Sequence, residues 1–187
     1  MVDARIQKSQ HALVLAGLKL INENKEISLS DIAKEAGVGR ATLYRIFSSK
    51  EALIEEIALY CLNAFEDATQ LIDKLATSSI HAFELLFEFA MPLTDESQFL
   101  FSLDYFSEEI PKVSQIIDKQ DRELCELIDY AKRKGEIDKS LPTSWILNYV
   151  EGLFYTGWIQ QKQFNTSVQE SAKLAYKCFS RSVQSSL

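Results

Sequence analysis

Apolar residues recur along this chain every three or four positions, the spacing of one face of an α-helix. The longest such pattern runs through Leu53, Ile54, Ile57, Ala58, Cys61, Leu62, Phe65, Ala68, Leu71, Ile72 and Leu75 and predicts one helix over 50–76. Before it, Ile6, Leu13, Leu15, Leu18, Leu20 and Ile21 predict a helix over 5–22. Two short stretches, 28–36 and 40–47, carry just enough apolar positions to pin a helix each: Ile32, Ala33 and Ala36 in the first, Leu43 and Phe47 in the second. After residue 76 the same spacing predicts helices over 80–91, 96–107, 111–134, 143–161 and 167–182. The expectation is therefore an all-α chain of about nine helices: a three-helix head over 1–50 and a larger helical bundle over 51–187.

Stop and start signals agree with the periodicity. Ser28-Leu29-Ser30-Asp31 has the form of a capping box, in which the Ser28 hydroxyl accepts from the Asp31 amide and the Asp31 carboxylate reaches back to the start of the helix. Gly37 supplies the left-handed conformation that ends the short second helix, and Ser48-Ser49 interrupts the pattern and caps the fourth. Pro92 halts the helix before it, while Gly135 and Pro142 bound the loop ahead of the penultimate helix.

Composition removes several classes of function. With 47% hydrophobic residues the chain can fill a core without staples, and its few Gly and Pro exclude a low-complexity linker. No apolar run approaches the roughly 20 residues of a membrane span, and the polar first ten residues lack a signal-peptide stretch, so a cytoplasmic protein that does not enter membranes is expected. Cys61, Cys125 and Cys178 are odd in number and widely spaced, which suggests reduced structural thiols and neither a disulfide framework nor a metal site. The net charge of −7 is unevenly divided. Residues 1–50 hold eight Lys/Arg against five Asp/Glu, a balance of +3, and residues 51–187 hold twelve against twenty-two, a balance of −10. A basic head on an acidic body is compatible with binding a polyanion through the head alone.

Two short helices joined by a glycine turn, the second bearing basic and hydroxyl side chains, meet the requirement of a helix-turn-helix whose second helix enters the DNA major groove. The whole stretch SLSDIAKEAGVGRATLYRIFSSKEAL, residues 28–53, closely resembles the DNA-binding signature of the tetracycline-repressor (TetR) family. The resemblance spans roughly residues 5–55 by motif and the remainder by length and helical rhythm. It implies a homodimer that binds a palindromic operator, commonly as a repressor released by a small-molecule effector in the body. The matching positions expected at DNA are Ser28, Ser30, Arg40, Ala41, Thr42, Tyr44, Arg45 and Lys50. Chemistry supports these assignments. Arg40 at the head of the recognition helix can pair with a guanine edge or a phosphate, Thr42 can offer a methyl or a hydroxyl, and Tyr44 and Lys50 suit phosphates. Leu43, Phe47, Ile32, Ala33 and Val38 are expected in the core of the head. Two positions depart from the family pattern: Gly39 stands where Ser or Thr usually caps the recognition helix, and Ile46 where His or Tyr is common. A glycine cap costs only a few tenths of a kcal/mol, and Ile46 could meet a thymine methyl.

In the body, residues 143–161 are apolar on nearly every side, as expected of a helix buried against its own core and also a partner. Together with the 3,4-spaced face of the last helix they predict a four-helix dimer interface containing Val150, Leu153, Phe154, Gly157, Trp158, Ala172, Ala175 and Phe179. Aromatic residues crowd the middle helices, and Phe83, Phe87, Phe101, Tyr105, Trp145 and Tyr149 are the candidate contacts of a small apolar or aromatic effector. His81 is expected at the surface or in a cap, and His11 on an exposed face.

No Ser/His/Asp or Cys/His set, metal-ligand spacing or glycine-rich phosphate loop occurs, so neither an enzyme nor a cofactor is expected. The alternative to an effector-released repressor is an effector-independent activator or architectural DNA-binding protein of the same fold.

Overall fold

The computed structural model describes residues 4–23, 26–103 and 110–184, and these are helices joined by short turns. In chain order they are α1 (Ala4–Glu23), α2 (Leu29–Glu35), α3 (Arg40–Ile46), α4 (Lys50–Thr69), α5 (Ile72–Leu75), α6 (Ser79–Ala90), α7 (Thr94–Ser102), α8 (Pro111–Lys134), α9 (Thr143–Phe164) and α10 (Val168–Val183). The all-α expectation holds, and the nine predicted helices are all present among the described residues. The tenth is the single turn α5, and it corrects the long helix expected over 50–76. The chain leaves the helix after Thr69, where the Thr69 hydroxyl donates to the Phe65 carbonyl at 2.8 Å and the Gln70 amide to the Asp67 carbonyl at 2.9 Å. The Gln70 side chain thus takes the Asp67 carbonyl that the Leu71 amide would have used in a further turn, while the Thr69 hydroxyl bonds back within the last turn. The predicted end of the 96–107 helix passes beyond Leu103 and lies outside the described residues.

The head forms as its caps dictate. The Asp31 amide donates to Ser28 Oγ and the Ser28 amide to Asp31 Oδ2, both at 3.2 Å, completing the capping box of α2. These bonds favour the ionised carboxyl, and the hydroxyl and amide of Ser28 hold Asp31 below the usual carboxylate range. At the other end, Gly37 adopts φ +65°, and the Gly37 and Val38 amides close onto the Lys34 and Ala33 carbonyls at 3.2 and 2.9 Å. This pairing is a Schellman stop, and it sets the turn into α3. Ser28→Ala is expected to lower the thermal midpoint by roughly 2–4 °C, measured by circular dichroism. An unchanged midpoint would show that the box contributes nothing.

Leu13, Ile32, Leu43, Phe47, Leu53, Ile57 and Cys61 form the core beneath the head, and Phe99 of α7 and Val113 of α8 belong to the same cluster. The apolar interior therefore runs through α4 from head to body without a seam at residue 50. Polar bonds reinforce the joint: Asn22 donates to the Asp95 carbonyl at 2.8 Å, and Gln98 donates to the Asn22 carbonyl at 3.0 Å. Asp95 in turn pairs with Lys162 of α9 at 2.8 Å. A second core, built on Phe83, Phe87, Ile128, Ile137, Ile146, Val150 and Phe179, binds α6, α8, α9 and α10 together. No helix among the described residues is long and apolar enough to cross a membrane.

Candidate nucleic-acid interface

Leu43 is only 1% exposed and Phe47 4%, so α3 is fixed on the core by its inner face. That anchoring decides what the outer face presents. Arg40, Ala41, Tyr44 and Arg45 are exposed, and Thr42 is half-buried. Across the turn, Ser28 is exposed and Ser30 half-buried at the start of α2. Arg40 lies close enough for its charge to help hold the Asp31 carboxyl down, after the Ser28 bonds that dominate. Arg40, Arg45 and Lys50 make no ion pair among the described residues, whereas Lys19 is bound to Glu35 at 2.6 Å. The head thus carries three cations outside any ion pair among the described residues around one short helix, an arrangement suited to phosphates and guanine edges.

The two departures from the family pattern resolve differently. Gly39 caps α3 through its carbonyl alone, with the Thr42 and Leu43 amides at 2.9 and 3.0 Å, and no side chain replaces the missing hydroxyl. Ile46 is half-buried and packs against the core of the head, which takes it away from the outward face on which a thymine methyl contact was expected. At the start of α4 the Ser49 hydroxyl accepts from the Ala52 amide at 3.2 Å. The Glu51 carboxylate takes its own amide and the Ser49 hydroxyl, which holds its pKa down. The helix terminus is thereby served from within, and the ammonium of half-buried Lys50 is the group left for a phosphate. Lys50→Ala is expected to weaken binding to all duplexes alike and to reduce the slope of log affinity against log salt by about 1, read by fluorescence anisotropy. An unchanged slope would remove Lys50 from the interface.

The expected body sites are distributed otherwise than the sequence suggested. Val150, Leu153, Gly157, Ala172, Ala175 and Phe179 are buried within the chain's own core, and Phe154 and Trp158 are half-buried. Phe179 is 0% exposed, stacked 4.4 Å from Phe83, and a Cβ on Gly157 would fall 2.5 Å from the Met91 sulfur. The buried ones among these residues hold α9 and α10 to α6 within one chain. The outward stripes are instead Trp145, Gly152 and Tyr155 on α9 and Leu174, Lys177 and Cys178 on α10, with open space around Gly152.

The six expected effector contacts do not converge on one wall. Phe83 and Phe87 interlock with Phe179 and Phe154, Phe101 meets Tyr155 edge-on at 5.6 Å, and Trp145 is 66% exposed. Tyr149 is half-buried with its hydroxyl 3.1 Å from Ser182, and Tyr105 lies outside the described residues. His81 serves as a cap, its Nδ1 accepting from the Thr77 amide at 3.1 Å, and His11 is exposed. Burial pushes the Cys61 thiol up, out of the reactive range, and burial beside Asp121 and Asp129 raises Cys125.

An outward recognition helix on a capped, glycine-turned pair, joined through a long helix to an α-helical body, defines a helix-turn-helix transcription regulator. Residues 16–57 match the model of the bacterial regulatory proteins of the tetR family, which covers the helix-turn-helix head and the start of α4. No curated protein sequence matches it. Among solved structures it is similar in fold to the TetR-like regulator LfrR of Mycobacterium smegmatis in complex with proflavine. That match has a TM-score of 0.79 at 17% identity, over 98% of this chain and 100% of that one. The ketosteroid regulator KstR2 of Mycobacterium tuberculosis matches at TM-score 0.76 and 13% identity, over 100% and 98%. The fatty acid degradation regulator FadR of Bacillus halodurans matches at 0.77 and 19%, over 92% and 94%. The matched head and the shared fold are those of a DNA-binding regulator.

Proposed function

We propose that this regulator is a repressor that binds a palindromic operator as a homodimer and is released when a small molecule occupies its body. The observation that carries the DNA-binding half is the outward presentation of Arg40, Ala41, Tyr44 and Arg45 by a helix pinned through Leu43. The homodimer reading rests on the outer faces of α9 and α10. Tyr155 and Trp145 are 46% and 66% exposed, Leu174 is 40% exposed, and Gly152 has no atom within 4 Å of where its Cβ would stand. Large apolar side chains beside an open glycine suit close packing of two helix pairs about a two-fold axis. Effector release is supported by the relatives: structures of this fold are regulators named for ketosteroids and fatty acid degradation, and one holds proflavine.

Light scattering at micromolar concentration is expected to give twice the mass of one chain, and Gly152→Arg is expected to give a single chain with unchanged helicity. A dimeric Gly152→Arg variant would exclude this face. Release is tested by a thermal-shift screen of metabolites followed by operator binding. A ligand that raises the midpoint and lowers operator affinity is expected, whereas stabilising ligands that all leave operator affinity intact would favour an effector-independent regulator.

A further inference from the structure

A groove of about 630 Å³ lies between α6 and α10, with Ala68 from the last turn of α4 in its wall, and it holds none of the residues considered so far for an effector. That volume is in the range that accepts a drug-sized molecule. Glu84 and Glu88 stand one helical turn apart on α6 and both line it. Like charges at this spacing repel each other, and neither makes an ion pair among the described residues. Lys173 of α10, also on the wall, is exposed and makes none either, so two carboxylates face a single ammonium and one negative charge is left uncompensated. Phe89 and Tyr176, both half-buried, supply aromatic rings beside the two carboxylates. Burial of the ring and the nearby Glu84 carboxylate push the Tyr176 phenol above its ordinary range.

A carboxylate pair beside aromatic faces attracts a cation by charge and by the ring quadrupole, and the apolar wall then rewards a ligand that brings a ring of its own. An anion would meet the carboxylates and be repelled. We propose that the groove between α6 and α10 is a binding site for an organic monocation bearing aromatic rings, held by the carboxylates of Glu84 and Glu88 and the rings of Phe89 and Tyr176. The proposal concerns binding alone and stands whether or not occupancy releases DNA.

The test uses the full chain without DNA and reads fluorescence polarisation of two dyes of one ring system, the cation rhodamine 6G and the anion fluorescein. Rhodamine 6G is expected to saturate one site per chain, and fluorescein to bind at least about tenfold more weakly. The double variant Glu84→Gln, Glu88→Gln is expected to weaken rhodamine 6G on the order of tenfold. Phe89→Leu should also weaken it, and the double variant Asp118→Asn, Glu126→Gln, the same loss of two charges on α8 outside the groove, should leave it unchanged. Both glutamates are exposed, so the double variant is expected to keep its helical circular dichroism. Rhodamine 6G binding that does not saturate, equal binding of fluorescein, or full affinity in the double variant would each overturn the assignment.

Discussion

Arg40→Ala is expected to weaken binding to the operator by about 1–3 kcal/mol, roughly five- to 150-fold, and to relax base preference at a single position of each half-site. The expectation follows from the way α3 is held. Leu43 and Phe47 lock its inner face, so the first residue of the helix cannot turn inward, and Arg40 stands exposed without an ion pair among the described residues. Its guanidinium is therefore ready to fork onto a guanine edge, and truncation leaves that edge unpaired. The contrast with Lys50→Ala is the informative part. Losing a phosphate cation lowers affinity for every sequence, while losing a base-reading guanidinium changes which sequences are preferred. Anisotropy titrations against the operator and single-base variants separate the two. Retention by Arg40→Ala of both affinity and the full pattern of preference would exclude it as a reading residue.

Phe179→Ala is expected to destabilise the fold by about 3–5 kcal/mol, the cost of emptying a fully buried phenylalanine site. Its ring is 0% exposed, 4.4 Å from Phe83 and 5.9 Å from Phe87, and it closes the core shared by α6, α9 and α10. Urea unfolding measures the loss. The same variant tests whether Phe179 serves the chain's own core or the dimer surface, because a residue of the chain's own core changes the stability of each chain. A residue of the dimer surface would mainly shift the concentration at which the dimer forms. Near-wild-type unfolding with a strongly concentration-dependent mass would return Phe179 to the interface.

The head was legible in the sequence because its signals are local. Ser28 with Asp31, Gly37 and the Leu43–Phe47 spacing each specify a cap, a turn or a buried face from adjacent residues, and the structure realises all three. The break after Thr69 was not legible, since it depends on the side chains of Thr69 and Gln70 taking backbone carbonyls, with no glycine or proline to mark it. The body misled for a different reason. A helix apolar on nearly every side has no pattern to separate its own core from a partner's, so Val150 and Gly157 could not be told from Trp145 and Tyr155 by periodicity. Only the position of α6 against α9 and α10 makes that division. The groove at Glu84 and Glu88 escaped notice because α6 was read for its aromatic residues, and the i, i+4 carboxylates on its other face resemble an ordinary solvated stripe.

The central claim is that two copies of α3 read a duplex through their outward side chains, and selection from a pool of random duplexes tests it most directly. The wild-type chain is predicted to enrich an inverted repeat whose half-sites are about one helical turn, or a multiple of it, apart, and the double variant Arg40→Ala, Tyr44→Ala to enrich nothing. A wild-type pool without any enriched repeat, or the same repeat recovered by the double variant, would contradict the account.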